Sequence, residues 1–459
     1  MNQVTVEQDK LIDVQAVIDA NRLSTFQIFL AVVCFIVAVL DGIDVGVIGS
    51  LAPSIRMEWM VPPDRLSHLF GAGLVGLALG ALVFGPLADR FGRRSTLVIA
   101  VTGFGGATLA CGFANTFGML VALRFVAGLF LGGALPNAIT VASEYVPSRI
   151  RFTMLTIVSC GFSIGGALGG VIAAQLATGP EGWRHVLILG GALPLLLLPI
   201  LLLAVPESVR FLIIKNRGHA RIAKTLRRIA PGADLNGATF VAPSGHEKGS
   251  PLAALFAFDL RRGTVLIWVS QFMGLLVYYF MSSWLPTVIH SGGVNIRTSV
   301  LLTAMIPMGT TVGAIALGIL MDRLNAYRVL FVSLLLGTFC IVLIGQVYTH
   351  TISLGCAIFG AGFGIGGTII GLNVIAASFY PAAIRGTGVS WSLGIGRVGS
   401  IIGSMVGGVL IVLQLNLQEI FTLIAVPALT AALCMAGMAR LAGAAGHKSV
   451  VLSRQPVQH

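Results

Sequence analysis

Asp41 and Asp44 lie about one helical turn apart inside FQIFLAVVCFIVAVLDGIDVGVIGSLAP, an apolar stretch from Phe26 that carries no other charge. An ionised carboxylate at the centre of a bilayer costs at least about 2.5–3.5 kcal/mol on insertion scales, so such groups face a partner or a watery cavity. Two bases are similarly placed, since Arg124 and Arg397 also fall inside apolar runs. A guanidinium stays protonated at working pH and offers paired N–H donors that match a carboxylate. A carboxylate that loses its basic partner in a dry site takes up a proton. The chemistry these four residues suggest is anion binding linked to proton movement. A proton plus a monoanion carries no net charge, so a one-to-one cycle would run on a pH gradient. Each further proton would add about 2.3 kcal/mol per 100 mV.

The elements that hold these residues follow from composition. Of 459 residues, 56% are hydrophobic and only 10% are charged, against about 25% charged in soluble domains. Apolar stretches long enough to span a membrane as helices recur about twelve times, near 27–52, 68–88, 95–114, 118–142, 153–176, 185–205, 263–289, 298–321, 327–347, 352–378, 386–413 and 418–440. The expected fold is an all-α membrane protein with twelve transmembrane helices in two six-helix bundles. It divides into an N-terminal segment (1–25), a first bundle (26–205), a central loop (206–262), a second bundle (263–440) and a tail (441–459).

The net charge of +12 is mainly a topology signal and does not point to nucleic acid. With both ends on one side, the opposite side carries only Arg56, Arg65, Arg184 and Arg297. Arg124 and Arg397 lie within spans, and every other Lys and Arg falls on the side of the termini. Basic loops stay in the cytoplasm, so both termini are expected there. The polar first 25 residues and the long first span do not resemble a cleavable signal peptide. All six cysteines fall inside the expected spans at spacings that match no metal or disulfide framework. No histidine falls mid-membrane, which argues against a histidine proton relay.

The halves echo each other. GPLADRFGRR begins at Gly85 and GILMDRLNAYR at Gly318, 233 residues on, each after the second span of its half. EYVPSRIR, ending at Arg151, pairs with FYPAAIR, ending at Arg385. Such duplication typically places a substrate site near the midplane between halves that rock against each other. In the repeated loop, Gly85 would let a neighbouring helix approach closely and Asp89 could accept hydrogen bonds from a helix N-terminus. Arg90, Arg93 and Arg94 could pair with acids or lipid phosphates. A plain positive-inside loop would need neither the Asp nor the Gly. The repetition at Gly318, Asp322, Arg323 and Arg328 therefore favours a conformational latch of Gly85, Asp89, Arg90, Gly92 and Arg93 with Gly318, Asp322 and Arg323. Asn325 and Ala326 replace the Gly-Arg of the first copy, so the second latch is expected to be weaker. Glu144, near Arg149 and Arg151, is expected to be a gate or latch partner.

With the PESVRFL segment (Pro206–Leu212), these loops and the six-plus-six layout resemble the major facilitator superfamily. The DGID run (Asp41–Asp44) narrows the resemblance to its aromatic acid:proton symporter family. DVQAVIDANRLSTFQ and TGVSWSLGIGR (Thr387–Arg397) look like 4-hydroxybenzoate and protocatechuate permeases. The resemblance covers nearly the whole chain and implies proton-coupled uptake of a monocyclic aromatic carboxylate across a bacterial inner membrane. It implies proton-coupling and transport roles for Asp41 and Asp44, a coupling role for Arg124, and a role in the conformational cycle for Asp89 and Asp322. GFSIGGALGG has Gly166 where the superfamily's antiporters carry proline, which speaks against a proton-driven exporter, the alternative reading. A membrane enzyme would need a cluster of nucleophiles or ligands, and the sequence has none.

Depth along the spans puts Asp41 and Asp44 near or a little beyond the midplane, Arg124 at a comparable depth and Arg397 near the centre of the second half. Arg397 is the expected anchor for the substrate carboxylate. Asp41 is favoured for coupling through Arg124, and Asp44 for the substrate side. An aromatic ring needs flat apolar walls and a few polar tips. Trp268, Gln271, Phe272, Tyr278, Tyr279 and Trp284 of the seventh span and Trp391 of the eleventh offer such groups. Gln271, Tyr278 and Trp391 are the expected substrate contacts, with Asn137 and Asn373, at comparable places in the two halves, to bond ring hydroxyls. The central loop near 211–229 reads either as a surface helix with basic residues on lipid headgroups or as a solvated linker. Expected partners are the small aromatic carboxylate, protons and the bilayer. No cofactor, metal or nucleic acid is expected, and the chain is expected to act as a monomer.

Overall fold

The computed structural model describes residues 10–177, 181–215, 219–231, 238–241, 252–257, 260–348, 350–381 and 384–452. Twelve helices among them are long and apolar enough to cross a membrane. In the first half they are Thr25–Trp59, Pro63–Phe91, Arg93–Cys111, Phe117–Tyr145, Thr153–Leu176 and Gly182–Ala204. In the second half they are Arg261–Ser291, Ile296–Arg323, Ala326–Ile344, Thr351–Phe379, Arg385–Val412 and Leu417–Ala442. Local sequence sets several starts. Ser24 and Gln27 form a reciprocal capping box before the first span, and Thr116 accepts from the Met119 N–H at the fourth. The tenth span contains a π-helical turn at Gly362–Gly366, a feature that often marks a functional site.

The polar segments before and between the bundles fold together. Strand Lys10–Asp13 pairs in parallel with Ala238–Val241 of the central loop. Helix His219–Ile229 buries Ile222, Leu226 and Ile229 in the same apolar cluster as Val14 and Ile18 of the N-terminal helix Val14–Ala20. Its apolar face packs on protein, and Arg221, Lys224, Arg227 and Arg228 are exposed on the other side. Asp19 accepts from the Ser148 N–H at 2.6 Å and the Ser148 hydroxyl at 2.8 Å, tying this segment to the turn after the fourth span. Desolvation works against its charge, yet the Ser148 and Gln15 donors and nearby Arg151 hold its carboxyl below the usual range.

The two halves join at the end away from the termini. One apolar cluster runs from the core of the second half into Val47, Leu51, Leu66, Phe70 and Trp183 of the first. The Ser67 hydroxyl donates to the Met405 carbonyl at 2.9 Å, Phe70 packs edge-on against Trp284 at 5.1 Å, and Arg297 donates to Gln175 at 2.9 Å. At this seam a Cβ on Gly49 would stand 2.2 Å from the Ser282 carbonyl oxygen, a separation that requires the seventh span to move. Gly49→Ala is therefore expected to part the halves here. A cysteine placed at Ser282 should then react faster with a membrane-impermeant thiol reagent than it does in the Gly49 parent. Equal labelling would show that this contact is not part of the closing surface.

Candidate functional site

The first, fourth and eleventh spans bring the charges together, and the pairing differs from the one the sequence favoured. Arg124 grips Asp44, not Asp41: its two terminal nitrogens donate to Oδ1 at 3.1 Å and Oδ2 at 3.0 Å. A third contact reaches the Asp44 carbonyl at 3.3 Å. The Thr108 hydroxyl of the third span donates to Asp44 Oδ1 at 2.6 Å. The pair is 3% and 1% exposed, so it is a desolvated, fully engaged ion pair. Nothing in the sequence marked Thr108, a lone small polar residue in an apolar helix.

Asp41 is equally buried, at 2% exposed, but Oδ1 has no hydrogen-bond partner among the described residues. It feels two charges, Asp44 on its own helix and Arg397 from the opposite half. Tyr279 of the seventh span joins this group through the Arg397 guanidinium. Asp41, Tyr279 and Arg397 thus meet across the seam between the halves. Of the two adjacent tyrosines, the sequence favoured Tyr278. Both line a small cavity with Gly42, Phe162 and Pro307, and Tyr279 is the one that also interacts with Arg397 and Asp41.

A second group lies toward the terminus side of the second half. The Trp268 and Trp391 rings stack at 6.0 Å and 20°, with Trp391 43% exposed. Gln271 Nε2 donates to the side-chain Oδ1 of Asn373 at 3.2 Å, while its own Oε1 is buried without a partner among the described residues. On the fourth span, in the first half, Asn137 donates to the Gly133 carbonyl at 2.7 Å, and its Oδ1 has no partner among the described residues. The stacked rings and the amide groups of Gln271 and Asn373 place a flat apolar face and hydrogen-bonding capacity on the same side of the second half.

The repeated loops are arranged differently from the expectation. Gly85 and Gly318 meet no close neighbour: a Cβ on either would find no atom within 4 Å. The reason is the seam, because the second span meets its partner around Ser67 and Gly408, at its far end. Asp89 does not cap a helix; it is exposed and pairs with Arg93 at 2.7 Å. Arg90 lies over the Phe91 ring, and Asp322 and Arg323 are exposed. The capping role belongs to Glu207, in the PESVRFL segment. Its carboxylate accepts from the Arg94 N–H at 3.0 Å and lies beside Gly92, whose φ of +98° leaves no room for a side chain. Such a carboxylate complements the positive end of the third span. In the second copy Asn325 occupies the place of Gly92 and caps the ninth span itself through the Arg328 N–H at 3.2 Å. The supposed degeneracy is thus an alternative cap. Glu144 is half-buried at the terminus-side end of the fourth span, in electrostatic contact with Tyr145.

Two six-helix bundles closed at one end, with the buried Asp41 of one facing the half-buried Arg397 of the other, define a carrier-type membrane transporter. The chain belongs to the Major Facilitator Superfamily, whose model matches residues 34–392 and 301–450. It is 42% identical to a gallate transporter of Pseudomonas putida, over 94% of this chain and 97% of that one. It is 39% identical to the 4-hydroxybenzoate transporter PcaK of the same organism, over 93% and 96%. The fold is shared with the xylose transporter XylE from E. coli in a partially occluded inward-open form, at a TM-score of 0.70 and 17% identity over 90% and 97% of the two chains.

Proposed function

We propose that the protein takes up a monocyclic aromatic carboxylate, such as gallate or a hydroxybenzoate, together with protons. It does so across the bacterial inner membrane by alternating access, as a monomer with cytoplasmic termini and without a cofactor. The substrate class rests on the gallate and 4-hydroxybenzoate transporters to which the chain is similar along nearly its whole length. The observation that carries the coupling is the unequal state of the two aspartates. Asp44 is locked by Arg124 and Thr108, whereas Asp41 Oδ1 has no hydrogen-bond partner among the described residues and Arg397 of the opposite half is its counter-charge.

In this reading Arg397 is the substrate anchor. A bound carboxylate takes over its guanidinium in bidentate fashion, and Asp41, deprived of its counter-charge, accepts a proton so that no lone charge stays buried. Asp41, not Asp44, is then the proton carrier, and the Asp44–Arg124 pair is a fixed post that holds the first span. The Trp268–Trp391 stack supplies the ring wall, with Trp391 six residues or about 9 Å along the helix from Arg397. The amide groups of Gln271, Asn373 and Asn137 face ring hydroxyls, and Asp89, Glu144 and Asp322 latch the terminus-side ends when the halves close there.

The test is uptake of labelled gallate, 4-hydroxybenzoate and benzoate into vesicles of known orientation under an imposed pH gradient. The expected result is accumulation of at least one hydroxylated acid that a protonophore abolishes, and a rise in KM of about tenfold or more in Arg397→Gln, the loss of one charge-assisted pair. Accumulation indifferent to the protonophore would remove the proton from the cycle. Extrusion driven by protons moving inward would make the protein an exporter.

A further inference from the structure

An apolar groove of about 390 Å³ runs along the outside of the second half between the eighth, ninth and tenth spans. Leu317, Leu320 and Leu324 form one wall, Val332 and Leu336 the other, and Phe363 lies within the groove. Arg328 stands at its mouth, exposed, one turn into the ninth span at the end nearest the termini. From Arg328 to Leu336 is eight residues, about 12 Å along the helix. The groove is therefore a long apolar slot with a cation at headgroup depth.

The first half shows that this slot is not an inevitable result of the fold. At the 233-residue offset that relates Gly85 to Gly318, Phe84 stands where Leu317 is in the second half, and at the 234-residue offset that relates Arg151 to Arg385, Phe130 stands where Gly364 is. Their rings pack edge-on at 5.7 Å. Gly103, the counterpart of Leu336, lies against the Phe130 ring so closely that a Cβ would stand 2.3 Å from it. The equivalent space is thus occupied by aromatic side chains. The counterpart of Arg328 is Ser95, which is spent on Glu207. The second copy has exchanged the filling ring of Phe84 for a leucine and gained, at the rim, a cation with no ion pair among the described residues.

We propose that this groove is a binding site for one anionic phospholipid of the leaflet on the side of the termini. Its phosphate sits on Arg328 and one acyl chain lies along Leu324, Leu320, Val332 and Leu336 down to Phe363. Basic pockets between transmembrane helices on a basic membrane face bind anionic headgroups, and the length and lining of the slot match a hydrocarbon chain. Because Phe363 belongs to the π-turn of the tenth span, the lipid contacts an irregular element of the second half.

The full-length protein purified in a mixture of phosphatidylglycerol and phosphatidylcholine, with bound lipid weighed by native mass spectrometry, tests this. The expected result is one retained phosphatidylglycerol. Arg328→Gln should reduce its preference over phosphatidylcholine about fivefold, the effect of one surface cation. Arg440→Gln, on the same side but away from the groove, should leave the preference unchanged. Val332→Trp, at an already exposed position, should reduce retention of both lipids by filling the slot. Equal losses in Arg328→Gln and Arg440→Gln would reduce the effect to general surface charge. Undiminished retention in Val332→Trp would overturn the site.

Discussion

Removing either member of the Asp44–Arg124 pair should destabilise the protein by about 3–5 kcal/mol, because it leaves the other charge buried without its counter-ion. The pair is bidentate, reinforced by Thr108 and almost inaccessible, and in a bilayer no water is at hand to take its place. Asp44→Asn and Arg124→Gln are each expected to lower the unfolding temperature in detergent and to abolish uptake. The double variant Asp44→Asn/Arg124→Gln removes both charges together and is expected to recover most of the stability, since two neutral amides can bond each other. Uptake should stay lost if the charges also serve the cycle. Single variants with wild-type melting behaviour would mean that the pair is not the fixed post of the first half.

The opposite pattern is expected at Asp41. Its free oxygen makes no hydrogen bond among the described residues, so Asp41→Asn removes a costly group and should leave stability unchanged or higher. The effect should fall on coupling. With one proton per substrate, each unit of pH gradient is worth about 1.4 kcal/mol, or tenfold accumulation. The variant should lose that factor entirely and only equilibrate labelled substrate, while still exchanging it across the membrane with no gradient. A variant that accumulates substrate as the parent does would move the proton to another group. One that neither accumulates nor exchanges would make Asp41 a binding residue instead. The two predictions together separate a structural aspartate from a working one three residues away.

Part of the site was readable before any coordinates. The lone charges in apolar runs marked Asp41, Asp44, Arg124 and Arg397, because the cost of burying each demands a reason. The repeat at Gly85 and Gly318 announced two related halves. Partner choice was not readable. Asp41 and Asp44 differ by only about 4.5 Å in depth and about 60° around the helix, so depth along the spans cannot say which one Arg124 reaches. That choice depends on how the first, third and fourth spans are rotated about their axes, which side-chain packing sets. Glu207 was hidden for a similar reason: it is distant in sequence from the third span it caps, and only the return of the sixth span brings it to Gly92.

The sequence alone determined the solvent the protein folds in, the number of spans, the duplication and which charges needed an explanation. Each of these follows from composition and periodicity, quantities that add along the chain. The tertiary structure alone decided that Asp44 is locked while Asp41 keeps a free oxygen. It also decided that Tyr279 and not Tyr278 joins Arg397, and that the halves meet at the end away from the termini. Those are contacts between helices far apart in sequence, fixed by how close two backbones can come and which way each face turns, as Gly49 against Ser282 shows.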